Sequence, residues 1–101
     1  MVVQIVRFRS GLPDEDVRQL YEARAPRYRE VPGLVQKYYL AFQETHEHGA
    51  VYLWESHEAL RRFRESDLAR TIASAYRVQG DPVVQIAEAV MALRPEAGGT
   101  P

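Results

Sequence analysis

The sequence predicts an α+β fold in which a four-stranded antiparallel sheet carries its helices on one face. Three observations lead there. Within Pro32–Ser56, PGLVQKYYLAFQETHEHGAVYLWES, two runs of β-branched and aromatic residues flank a polar segment, Glu44–Gly49, which is the pattern of a β-hairpin with a loop of several residues. Amphipathic helical spacing appears both before and after that hairpin. A Val- and Ile-rich run opens the chain and another lies near its end. With 101 residues there is room for one domain, and its limits are expected at residues 1–93.

In order, Val2 to Arg9 is a strand with Val2, Val6 and Phe8 on one face and Val3 and Ile5 on the other, so both faces are expected to be covered. Ser10–Asp14 turns the chain into a helix, where Pro13 and the acidic Asp14, Glu15 and Asp16 suit the first turn and its positive dipole end. Val17, Leu20, Tyr21, Ala25, Tyr28 and Val31 then form an apolar stripe. Pro26 cannot donate to the Glu22 carbonyl and is expected to kink or interrupt this helix. Pro32-Gly33 ends it and leads into the hairpin.

After the hairpin, Ser56 is placed as an N-cap, with Leu60 and Phe63 facing inward. The period falters at Glu65-Ser66-Asp67 and resumes with Leu68, Ile72, Ala75 and Tyr76, which predicts two short helices or one broken helix re-capped at Ser66 or Asp67. Gly80-Asp81-Pro82 reads as a turn, and Val83 to Leu93 as the last strand. Arg94 to Pro101, polar with Gly and Pro, is expected to be a flexible tail. The order β-α-β-β-α-β is the ferredoxin-like arrangement, whose two right-handed crossovers put both helical segments on one side. Apolar residues on the other side predict a homodimer through the sheet face.

Composition narrows the function. Thirteen basic against 14 acidic residues, a net charge of −1, argue against nucleic acid or an anionic membrane surface as partner. With no Cys there are no disulfides or thiolate sites, and no apolar run approaches the ~20 residues of a membrane span. The N-terminal run lacks a basic region before it and a cleavage site after it, so a cytoplasmic location is expected. No Ser-His-Asp arrangement or Gly-rich phosphate loop is visible. His46 and His48 flank Glu47, but a third metal ligand is not evident; they read as a solvated loop, and no metal is assigned. Arg61, Arg62 and Arg64 with Glu58 and Glu65 read as an exposed, ion-paired helix face.

Candidate site residues cluster on the hairpin. Tyr38 and Tyr39 point to opposite faces, and Lys37 shares the face of Tyr39. If enclosed, Lys37 has a lowered pKa and serves as a proton acceptor. Trp54, the only Trp, is a wall for a flat ligand or a plug between sheet and helices. Phe63 and Tyr76 belong to the core or border the pocket.

Arg29-Glu30-Val31-Pro32-Gly33, Gly49–Ser56 (GAVYLWES) and Glu58-Ala59-Leu60 resemble the antibiotic-biosynthesis monooxygenase-like dimeric α+β barrel superfamily, with closest likeness to its YdhR-type putative mono-oxygenase family, over roughly residues 1 to 93. The resemblance implies a homodimer with its two sheets face to face and, in each subunit, a pocket between sheet and helices. It implies oxidation of a small hydrophobic or aromatic molecule without metal or flavin cofactors. Lys37 is then the catalytic candidate, and Tyr39, Trp54 and Phe63 the substrate-binding ones. The same resemblance sets Ala50, Leu60 and Ser74 where oxygenating relatives carry Asn, Tyr and Arg, and Ala73 near the His of haem degraders. Those departures keep a non-catalytic binding or sensing dimer as the alternative.

Overall fold

The computed structural model describes residues 1–94. Strand β1 (Val2–Ser10) leads to helix α1 (Asp14–Arg29), followed by the hairpin β2 (Leu34–Phe42) and β3 (Glu47–Trp54). Three short helices come next, α2 (His57–Arg64), α3 (Asp67–Arg70) and α4 (Ile72–Ala75), and the last element is β4 (Val78–Glu88). The strands form one sheet in the order β2-β3-β1-β4 with every neighbouring pair antiparallel, which is the ferredoxin-like topology.

Register decides which side chains meet. Val2, Gln4 and Val6 stand opposite Trp54, Tyr52 and Ala50, and these residues share the face turned to the helices. There Val2, Ala50, Tyr52 and Trp54 pack with Tyr28, Leu60, Phe63 and Leu68, while Phe8, Val17 and Tyr76 make a second cluster. The other face carries Val3, Ile5, Val51 and Tyr38, and Tyr38 is largely exposed.

The predicted cap at Ser56 is present, its Oγ accepting from Ala59 N–H at 3.1 Å, and of Ser66 and Asp67 it is Ser66 that caps the second segment, its Oγ accepting from Ala69 N–H at 3.2 Å. The second half of the broken helix is itself divided at Thr71. Glu58 pairs with Arg61 and Arg62, and Glu65 with Arg61, on an exposed face.

Four expectations need correction. Helix α1 runs through Pro26 to Arg29 without interruption, because Pro26 and Glu22 both lie at the exposed face, where water can satisfy the carbonyl that Pro26 leaves unpaired. The hairpin loop is Gln43–His46 rather than Glu44–Gly49, since His46 takes a left-handed φ of 58° and closes the turn early. Gly49 therefore lies within β3 opposite Arg7, where a Cβ would strike the Val6 carbonyl.

Gly80-Asp81-Pro82 is a bulge inside β4 and not a turn before it. Pairing steps from Arg7↔Val83 to Arg9↔Gln79, and Gly80 supplies the required φ of 69°. Pro82 is tolerated because β4 is an edge strand. At its other end β4 stops at Glu88, paired with Val2, because β1 offers no further partner beyond the Ala89 N–H bond to the Met1 carbonyl. Val90, Met91 and Leu93 consequently stand outside the sheet and are exposed. Of the predicted tail, residues 95–101 lie outside the described residues.

Candidate functional site

Between the sheet and the helices is a cavity of about 280 Å³. Five of the chain's six tyrosines line it: Tyr21 and Tyr28 from α1, Tyr39 from β2, Tyr52 from β3, and Tyr76 just beyond α4. The sixth, Tyr38, is on the opposite sheet face, as strand alternation requires. Phe63, Ala50 and Ile72 complete apolar stretches of the wall, and Gln4 and Arg64 add polar side chains.

Lys37 enters this cavity from β2, in register with Tyr52. Its Nζ is 3.3 Å from the centroid of the Tyr28 ring, 4.4 Å from that of Tyr39 and 4.6 Å from that of Tyr52. No carboxylate forms an ion pair with it among the described residues. Burial, and secondarily the charge of Arg24, bring its pKa down from 10.5 to about 7. The three ring faces attract the ammonium form and offset part of that cost.

The tyrosines titrate the other way. Burial, then the neighbouring Tyr39, lifts the Tyr21 phenol to about 12, and burial also raises Tyr28, Tyr39, Tyr52 and Tyr76. At neutral pH these phenols are uncharged hydrogen-bonding groups, while the amine of Lys37 is poised to gain or lose a proton. The tyrosine rings also order one another: Tyr21 and Tyr39 lie 4.3 Å apart and Tyr21 and Tyr76 5.6 Å apart between centroids.

Of the four residues singled out from sequence, Lys37, Tyr39 and Phe63 meet at the cavity surface. Trp54 does not. It is fully buried, stacks on Tyr52 at 5.8 Å and leans on Phe63 at 5.2 Å, and its indole N–H is donated to Gln4 Oε1 at 2.9 Å. It backs the wall instead of forming it. Gln4 needs that bond, being a buried polar side chain. Ala50 lies on the cavity wall, Leu60 is in the core, and Ser74 turns back within its own segment to donate to the Thr71 carbonyl.

His48, expected in a solvated loop, is buried in β3 with Nε2 3.2 Å from Asp14 Oδ1. His46 is in the turn, and among the described residues no group of three or more His, Asp or Glu side chains could hold a metal ion. His57 meets Glu88 at 2.9 Å at the exposed end of β4.

Two contributors were missed in the sequence. Arg24 lies on the inward face of α1, three residues after Tyr21 and four before Tyr28, and its position in that stripe was the available signal. Its Nη2 donates to the Leu68 carbonyl at 2.9 Å and to Thr71 Oγ1 at 3.1 Å, tying α1 to α3 and the start of α4. Its charge also acts on Lys37 and Tyr28. The second missed signal is compositional: the chain has twelve arginines and a single lysine, Lys37.

The family model for the putative mono-oxygenase ydhR matches residues 3–90. No curated protein matches the sequence significantly. Among solved structures, SnoaB, a cofactor-independent oxygenase from Streptomyces nogalater, is 19% identical, with 91% of this chain and 95% of that one covered at a TM-score of 0.74. The monooxygenase ActVA-Orf6 of Streptomyces coelicolor, solved with nanaomycin D, is 22% identical over 94% of this chain and 92% of that one, at a TM-score of 0.73. A dimeric ferredoxin-like protein of unknown function from Thermobifida fusca is 15% identical over 85% and 88%, at a TM-score of 0.68. At these identities the structures share the fold. Among the described residues no helix is long and apolar enough to cross a membrane.

Proposed function

Because the chain belongs to the putative mono-oxygenase ydhR family, we propose that it is a cofactor-independent mono-oxygenase acting on a small hydrophobic or aromatic molecule held in the tyrosine-lined cavity. The observation that carries this reading is the placement of Lys37: its Nζ lies over the rings of Tyr28, Tyr39 and Tyr52 at the wall of a mostly apolar cavity, where burial brings its pKa down to about 7. Such a group is a general base suited to neutral pH. It takes a proton from an activated C–H or phenolic O–H of the ligand, and the ammonium so formed is held by the faces of Tyr28, Tyr39 and Tyr52. The resulting carbanion or phenolate is the electron donor to O₂. In an anthrone-type reaction the substrate loses two hydrogens and gains one oxygen, and the second oxygen leaves as water. Tyr39 and Phe63 provide the stacking surfaces, with Trp54 holding Phe63 in place from behind.

The assembly proposed with this reading is a homodimer through the opposite sheet face, supported by the exposed Tyr38 and Val83 beside Val3, Ile5 and Val51. The alternative, a non-catalytic binding dimer, draws on the apolar character of Ala50 on the cavity wall. Oxygen uptake with anthrone and hydroquinone-type compounds separates the two. Uptake that rises through pH ~7, survives chelation and disappears in Lys37→Met supports catalysis. Binding of the same compounds with no uptake at any pH discards it.

A further inference from the structure

We propose that Lys37 is a covalent capture site for small aromatic aldehydes, which it binds as a Schiff base inside the cavity. Three observations converge on this. First, Lys37 is the one lysine in a chain whose other twelve long basic side chains are all Arg. A guanidinium supplies charge but cannot deprotonate in a protein; an amine can, and then carries a nucleophilic lone pair. The chain's one amine stands over the three tyrosine rings, and Arg fills every other long basic position. Second, Nζ faces three aromatic rings and, among the described residues, pairs with no carboxylate, while the Arg24 guanidinium acts on it from α1. Desolvation next to a second cation is how a lysine is activated as a nucleophile. Third, the amine is at the wall of a cavity of about 280 Å³ whose remaining surface is mostly apolar, so there is room for one substituted benzene ring beside it.

The step balances without an oxidant or reductant. The Nζ lone pair attacks the carbonyl carbon, the carbonyl oxygen leaves as water with the two amine protons, and a C=N bond forms. Protonation of that nitrogen from solvent gives an iminium, again a cation between Tyr28, Tyr39 and Tyr52, where ring faces favour it. A second hollow between α1 and the β2 edge shares Lys37, Tyr28 and Tyr39 with the cavity and adds Arg29 and Gln36. This inference rests on the neutral amine of the proposed function and is independent of any reaction with O₂.

The test uses the intact protein, benzaldehyde and sodium cyanoborohydride, which reduces an imine to a stable benzylamine. Mass spectrometry then counts and locates the adducts. The expected result is one benzyl group on Lys37, formed roughly 10- to 100-fold faster at pH 7 than on free Nα-acetyl-lysine in the same tube, because the neutral fraction of a lysine near pKa 7 exceeds that of an ordinary one by about 1,000-fold and lower basicity returns part of the gain. Measured against Nα-acetyl-lysine at the same pH, which undergoes the same hydride step, the advantage of Lys37 is expected to hold up to pH ~7 and to shrink above it, governed by Lys37 among Tyr28, Tyr39, Tyr52, Arg24, Arg29 and Arg64. Benzyl alcohol, which fits the cavity but has no carbonyl, leaves no adduct. Labelling confined to the Met1 α-amine, or Lys37 reacting no faster than the free amino acid, overturns the proposal. Trapping without oxygen uptake keeps it and removes the oxygenase reading; uptake without trapping does the reverse.

Discussion

Replacing Lys37 by Met removes a titration whose effect on stability can be worked out. In the folded protein the amine has a pKa of about 7 against 10.5 in the unfolded chain, so between these values the unfolded state binds more protons. Stability therefore rises with pH across that window. From pH 6 to pH 9.5 the gain attributable to Lys37 is about 3 kcal/mol. Lys37→Met keeps an unbranched side chain one atom shorter than the native one and has no such dependence. The variant should be more stable than the native protein at pH 6, and that advantage should shrink by about 3 kcal/mol by pH 9.5. The phenols of Tyr21, Tyr28, Tyr39, Tyr52 and Tyr76 have raised pKa values and act only toward higher pH, in both proteins alike. Urea unfolding read from the single Trp54, at one fixed protein concentration so that any subunit association contributes equally, measures the difference. Parallel stability curves for the two proteins from pH 6 to 9.5 would refute the assignment of a neutral amine.

Three other perturbations test the supporting structure. Trp54→Phe leaves Gln4 Oε1 buried without its donor and opens space behind Phe63, so unfolding should become easier by about 2–4 kcal/mol while ligand affinity changes less than about threefold; titration calorimetry and urea melts read the two separately. Gly49→Ala drives a Cβ into the Val6 carbonyl, and a loss of at least about 2 kcal/mol with weakened amide protection in β1 and β3 is expected from hydrogen exchange. Arg24→Gln removes the cation beside Lys37 and should shift the pH profile of oxygen uptake, or of aldehyde trapping, upward; an unchanged profile would leave burial as the sole cause.

Much of the fold was legible because local signals agreed. The hairpin, the capped helix start at Ser56, the break before Leu68 and the β-strand character of β1 all follow from residue type and period. The misreadings share a cause: a residue with two uses. Gly49 reads as a turn glycine, yet it is needed for a close approach of two backbones. Gly80-Asp81-Pro82 has the composition of a turn but forms a bulge on an edge strand, where the missing proline N–H costs nothing. Trp54 is not among them: its sequence position allows a ligand wall or a plug between sheet and helices, and its N–H bond to Gln4 sets it behind the wall. The site was legible by residue but not by environment. A lone lysine among twelve arginines is visible in the sequence, whereas its enclosure by Tyr28 depends on how α1 lies over β2.

The placement of that lysine turns on one irregularity in β2. Alternation alone puts Lys37 and Tyr39 on one face and Tyr38 on the other, but it does not say which face meets the helices. Leu34 pairs with Trp54 on the helix side; an unbroken ladder from there would set Lys37 opposite Val51, on the far side of the sheet. Instead the pairing steps from Leu34↔Trp54 to Gln36↔Leu53, leaving Val35 without a partner and largely exposed. That one extra residue reverses the parity of everything after it. Lys37 comes opposite Tyr52 and Tyr39 opposite Ala50, both turned to the cavity, and Tyr38 is turned away. The chemistry available to the cavity therefore depends on the bulge at Val35 as directly as on the amine. A variant that forced the unbroken ladder would retain every residue named here and present Gln36 and Tyr38 to the ligand in place of Lys37 and Tyr39.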